Sequence, residues 1–137
     1  MNLLRQYGVA LVSLVVSLGS LGYATWRNET SEQQRNTRYA AFRGLEELGQ
    51  LQVLVDRHQY GAGESDYVTG WARVLLIHDL ASLLPEPAHG AAERLQVRWK
   101  ADFEAWDDGS DKAAGERISA EIGAARKDML ATLMGLR

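Results

Sequence analysis

The side chains best suited to chemistry in this chain are its three histidines, His58, His78 and His89, and the carboxylates near them. Glu86 and His89 stand in the E-x-x-H spacing used by helical di-iron sites. Such a site takes two of these motifs plus further carboxylates, and only one is present, with Pro87 inside it at a helix start. His89 and Glu93, at i and i+4, suit a metal pair or a surface contact worth about 0.2–0.5 kcal/mol equally well. His58 and His78 fall near the core faces of their helices and read as hydrogen-bonded boundary residues; an enzyme would need them to converge. Gly63-Glu64-Ser65-Asp66 has half of a nucleophile elbow, but it lacks the second glycine and follows a helix instead of a strand. It also lacks the Lys-Ser/Thr pair of a phosphate-binding loop. Asn28-Glu29-Thr30 fits a glycosylation acceptor, but lies against the expected bilayer and is read as incidental. Glu46-Glu47 and Asp107-Asp108 are adjacent in sequence, so their side chains diverge into solvent. With no cysteine, disulfides, thiolate metal sites and cysteine nucleophiles are excluded. No catalytic, cofactor or metal constellation survives, and the sequence predicts a protein that is not an enzyme.

Positioning falls to helices, and the first is organised around Tyr7 to Trp26, twenty residues without a charge between Arg5 and Arg27. At about 1.5 Å per residue such a helix reaches roughly 30 Å, the thickness of a bilayer's hydrocarbon core. Residues 1–26 are therefore expected to form a transmembrane anchor. Ala10, Ser13, Ser17, Ser20 and Ala24 recur at spacings of three and four, placing small side chains on one stripe. Lipid gives no hydrophobic drive between helices, so a small-residue stripe is a candidate contact face for another transmembrane helix, its own copy or a different subunit. The plainer alternative is that serine is tolerated there by bonding to its own backbone. Tyr23, Trp26 and Arg27 read as an aromatic belt and charged stop at the interface.

A cleaved secretory signal is the competing reading, with Gly22-Tyr23-Ala24 before the cut. Against it stand the single charge at Arg5, the long uncharged stretch and the Trp-Arg pair that follows. A positive-inside count favours a cytoplasmic domain, because Arg27, Arg35 and Arg38 follow the anchor. Long domains translocate largely regardless of charge, however, and these arginines alternate with Glu29 and Glu32. A periplasmic domain on an inner-membrane anchor is the expected topology.

Removing the first 26 of 137 residues leaves 111, enough for one domain with one core. In that part 14 Lys and Arg face 18 Asp and Glu, a net charge of minus four with histidines neutral. This surface argues against nucleic acid and against a polybasic headgroup binder. Residues 27–38 are polar on every face, a stalk or a surface that a partner covers. From Tyr39 the helix turns amphipathic, with Ala41, Phe42, Leu45, Leu48, Leu51 and Val55 at helical spacing. A loop at 61–66 precedes a second helix from about Tyr67 to Leu84, apolar on most faces and expected to be the most buried element. Pro85 and Pro87 end it. A third helix to about Trp106 carries Leu95, Trp99, Phe103 and Trp106 on one face. A turn at Asp107-Asp108-Gly109-Ser110 leads to a fourth from about Asp111, with Ile118, Ile122, Ala125, Met129, Leu133 and Leu136 in register. The expected fold is all-α: an N-terminal transmembrane helix continuing into an antiparallel bundle, residues 27–137, of about four helices. Trp71, Trp99, Phe103 and Trp106 are expected to pack its core, and Trp71, Trp99 and Trp106 are the candidate lining of any pocket in it.

At Tyr23 to Glu29, YATWRNE, followed by Glu32, Arg35-Asn36 and Ala41-Phe42, the sequence resembles small uncharacterised single-pass membrane-anchored helical proteins of proteobacteria. That resemblance implies an inner-membrane location and lends no activity. The layout is also similar to the sensory half of bacterial chemoreceptors, although this chain shows neither a second transmembrane helix nor a signalling region. The expected function is that of an accessory or scaffold subunit of a membrane complex, its partners the bilayer and another transmembrane helix. The alternative is a membrane-tethered ligand-binding or sensor module with its pocket inside the bundle.

Overall fold

In the computed structural model, residues 2–61 and 66–136 are described. The expectations placed on Ala62, Gly63, Glu64 and Ser65 lie outside these. The described chain is helical throughout: α1 Asn2–Tyr60, α2 Tyr67–Ala81, α3 Ala88–Asp107 and α4 Lys112–Gly135. By its internal packing it divides into two units, one ending at Asn36 and the other beginning at Thr37.

In the first unit, the helix meets the length and apolar composition needed to cross a membrane, and none of its apolar window is buried among the described residues. No proline interrupts α1, and three hydroxyls fold back onto its backbone: Ser17 to Ser13 O, Thr25 to Leu21 O and Thr30 to Trp26 O, at 2.8–2.9 Å.

The second unit is the antiparallel bundle. Along α1 and α4 the contacts run in opposite directions: Gly44 lies against Met129, Gln52 Nε2 donates to Ser119 Oγ at 3.1 Å, and Gln59 lies against Gly115. Between α3 and α4, Thr132 Oγ1 accepts from Ala88 N at 3.1 Å, Arg94 meets Asp128 at 3.0 Å, and Arg117 meets Asp102. Gly70 lies on Trp99 and the Ala81 carbonyl faces His89, which sets α2 antiparallel to α3. Arg73 bridges α2 to Glu47 of α1 at 2.7 Å.

Local chemistry sets the boundaries. Asp66 caps α2 by accepting from Thr69 N at 3.0 Å, and Asp111 caps α4 by accepting from Ala113 N at 3.0 Å. The fourth helix therefore starts behind Asp111, with Gly109 supplying the positive φ of 71° that the preceding turn needs. Pro87 precedes α3, whose first N–H is taken by Thr132, while Glu86 Oε2 accepts from Gly90 N at 3.0 Å. Half of the E-x-x-H motif is thus a helix cap.

The core is built from α1 past Ala40 and from α2, α3 and α4; every buried described residue lies between Ala40 and Thr132. Trp99 is fully buried and packs on Phe103, Trp106 and Trp71, with ring centroids 5.1, 5.7 and 6.4 Å away. Burying an aromatic removes about 150–250 Å² from water, an upper bound of roughly 4–6 kcal/mol each. Two expectations need correction. Phe42 is exposed, because α1 turns Ala41, Gly44, Leu48, Leu51 and Val55 inward instead. The most buried element is α3, with eight buried residues, whereas α2 buries only Gly70, Val74, Ile77 and Ala81. Gly70 lets α2 press one narrow face onto the Trp99 ring, leaving its opposite face uncovered.

Candidate functional site

Among the described residues, three places stand out for surface or polar groups that the fold does not use. The first is the apolar part of α1. Ala10, Ser13, Ser17, Ser20 and Ala24 are all exposed. The Ser17 hydroxyl spends its proton on Ser13 O, so its remaining capacity toward a neighbour is as an acceptor. Tyr23 and Trp26 are exposed beside one another, centroids 6.2 Å apart, next to exposed Arg27.

The second is the outer face of α2. Val68, Ala72, Leu75, Leu76 and Asp79 share it, with Leu83 just beyond the helix, and all six are exposed. A solvated helix face normally carries charge, and here Asp79 is the sole charged residue among the six. This explains why the sequence reads as a buried helix while the fold buries only one face of it.

The third is the aromatic cluster. Trp71, Trp99 and Trp106, named from sequence as a candidate pocket lining, do stand together, and Trp106 also forms one wall of a cleft of about 420 Å³. Its other walls include His58, Gln59, Asp111, Lys112, Gly115 and Glu116. The His58 and Trp106 rings meet edge to face at 4.3 Å, and His58 Nε2 lies 3.2 Å from the Trp106 carbonyl. Four buried side-chain nitrogens here have no hydrogen-bond partner: His58 Nδ1 and Nε1 of Trp71, Trp99 and Trp106. A buried unsatisfied polar group costs about 1–3 kcal/mol, so their concentration in one cluster is a feature of the fold to be accounted for.

Gln59, Gly115 and the cleft role of His58 are not evident from residue types alone. Gly115 carries the legible hint, since a glycine inside a helix marks a close approach. A Cβ there would lie 2.8 Å from Gln59 Oε1 and 3.0 Å from Trp106 Cδ1.

Next to the cleft lies an ion network. Asp102, 7 % exposed, accepts from Arg117 Nε and Nη2 at 3.0 and 2.9 Å and from Arg98 at 3.2 Å. Arg117 also reaches Asp111 at 2.7 Å. The Arg117 hydrogen bonds, the largest cause, hold the Asp102 carboxyl below its ordinary value despite burial, and in return raise the Arg117 guanidinium.

The histidines do not converge. His58 sits at the Trp106 end of α3, whereas His78 lies one turn from Ala81, whose carbonyl faces His89 at the other end. Twenty residues of α3 separate those ends by about 30 Å. His89 Nε2 pairs with Glu93 Oε1 at 3.5 Å, and among the described residues no group of three or more His, Asp or Glu is placed to hold a metal ion.

Fold and sites define an all-helical chain whose first helix is long and apolar enough to cross a membrane and whose remainder closes into a four-helix bundle. Comparison with protein-family models, with curated proteins and with solved structures found no match.

Proposed function

We propose that this chain is a non-enzymatic, single-pass membrane-anchored helical protein, an accessory or scaffold subunit of an inner-membrane complex that acts through helix–helix contact. The observation that carries this reading is the uncovered first part of α1, where each large apolar side chain from Leu3 to Trp26 is at least 57 % exposed. Water does not tolerate so much contiguous apolar surface, and a bilayer supplies the matching solvent. Within lipid, specificity comes from close packing, which the stripe from Ala10 to Ala24 offers to another transmembrane helix. Tyr23, Trp26 and Arg27 set the depth of the helix, with the bundle on the periplasmic side. The outer face of α2 provides a second surface for protein contact outside the bilayer.

The test is the native mass and co-purifying chains of the full-length protein in gentle detergent, compared with a form beginning at Arg27. A defined membrane partner or self-association that disappears in the shorter form, and weakens when Ser13, Ser17 and Ser20 are replaced by leucine, supports the reading. Two monomeric, solitary forms would count against it.

A further inference from the structure

The unpartnered nitrogens form a connected series. His58 touches Trp106, Trp106 packs on Trp99 at 5.7 Å, and Trp99 packs on Trp71 at 6.4 Å. At the cleft the two members present complementary chemistry. The Trp106 carbonyl can only accept, so His58 Nε2 carries the proton of that 3.2 Å contact, leaving Nδ1 as a bare acceptor. Trp106 Nε1 can only donate. An acceptor and a donor therefore belong to two touching rings, both buried and both unanswered.

The pyrrole edge of Trp106 faces Gly115, since Cδ1, bonded to Nε1, lies 3.0 Å from the point a Gly115 Cβ would occupy. Gln59 Oε1 lies 2.8 Å from that same point, so the Gln59 carboxamide borders Gly115 together with that edge. Its long side chain makes no hydrogen bond among the described residues and can swing aside at little cost. Around the opening, Lys112 and Glu116 offset one another and Asp111 is engaged by Arg117, so the cleft selects for no net charge. Its volume of about 420 Å³ holds a ring and a polar substituent.

We propose that this cleft binds a small uncharged molecule bearing a primary carboxamide, its oxygen accepting from Trp106 Nε1 and its N–H donating to His58 Nδ1. The Trp106 ring flanks the apolar body, and Gln59, which carries the same functional group, covers the site when it is empty. The site is independent of the membrane-contact reading, because every residue in it belongs to the bundle.

The experiment titrates full-length protein in detergent with benzamide, with acetophenone, which keeps the carbonyl but lacks the N–H, and with benzoate, which is charged. Tryptophan emission and heat are the readouts. Benzamide gives a saturable change in both, and acetophenone and benzoate bind at least about tenfold more weakly. His58→Phe reduces benzamide to the acetophenone level with helicity unchanged, while Gln59→Ala tightens benzamide by uncovering the site. No saturable response to benzamide through about 10 mM, or equal binding of benzamide and acetophenone, overturns the proposal. If His58→Phe fails to fold, the benzamide–acetophenone comparison on the native protein and the Gln59→Ala variant still decide it.

Discussion

Two stretches of α1 are built from similar apolar residues and meet opposite fates. From Tyr7 to Trp26 the apolar residues cover every side of the helix, and none of them is buried. From Ala40 to Val55 they recur on one side, with Arg43, Glu46 and Gln50 between them, and Ala41, Leu48, Leu51 and Val55 become fully buried. The difference lies in periodicity more than in total hydrophobicity. A one-sided stripe can be satisfied by three other helices of the same chain, whereas an all-round apolar helix has no protein face to turn toward water and needs another solvent. α2 lies between these cases: its second apolar face is left over after the bundle has closed.

Substitutions in the first stretch and in the bundle core that the second stretch joins should separate cleanly. Trp99→Ala removes the best-buried ring of the core and is expected to cost about 3–5 kcal/mol, read as a lowered melting temperature of the bundle, with membrane retention unaltered. Leu18→Arg should do the reverse, weakening membrane insertion by about 2.5–3.5 kcal/mol and leaving bundle melting unchanged. If either variant altered both properties, the first stretch and the bundle core would not be independent.

A smaller effect tests the polar part of the bundle. Asp102 ionises more readily when folded than when unfolded, because Arg117 and Arg98 bond its carboxylate. Its contribution is therefore fully present above the ordinary value of 3.8 and is lost as pH falls through the lower folded value. Asp102→Asn should destabilise the bundle by about 1–3 kcal/mol near neutral pH, a figure kept low because Arg117 is partly exposed. The gap from the native protein should close in acid, which melting curves across pH would show. A gap that persisted in acid would assign the loss to packing instead of charge.

Two glycines have effects of opposite sign, the second of them the smallest expected. A Cβ at Gly70 would lie 2.6 Å from Trp99 Cζ2, so Gly70→Ala should lower bundle stability by about 1–3 kcal/mol. At Gly123 nothing lies within 4 Å, so Gly123→Ala should raise it by up to about 1 kcal/mol through helix propensity. Thermal melts of the two variants suffice to check the signs.

Much of this architecture is legible in the sequence. The four helices, the loop at 61–66, the turn at 107–110 and the aromatic face of α3 follow from spacing and from residues with a single conformational use. What spacing cannot supply is which apolar face wins when a helix has two. Phe42 and Leu75 fit their apolar patterns as well as Leu48 and Ile77 do, and they are left outside because inter-helix fit at Gly44 and Gly70 fixed the rotation of each helix. The cleft was less legible still. His58 reads as an ordinary boundary histidine, and its unanswered Nδ1 exists only because α3 brings the Trp106 carbonyl to the other ring nitrogen.

The central claim is that the apolar first part of α1 has a bilayer as its solvent. The direct measurement is alkaline washing of membranes from cells expressing either the full-length protein or a form beginning at Arg27. This account predicts that the full-length chain, with its N-terminus intact, stays in the membrane pellet, while the shorter form is released as a folded, cooperatively melting bundle. Release of the full-length chain into the wash, or recovery of a mature protein trimmed near Ala24, would contradict it.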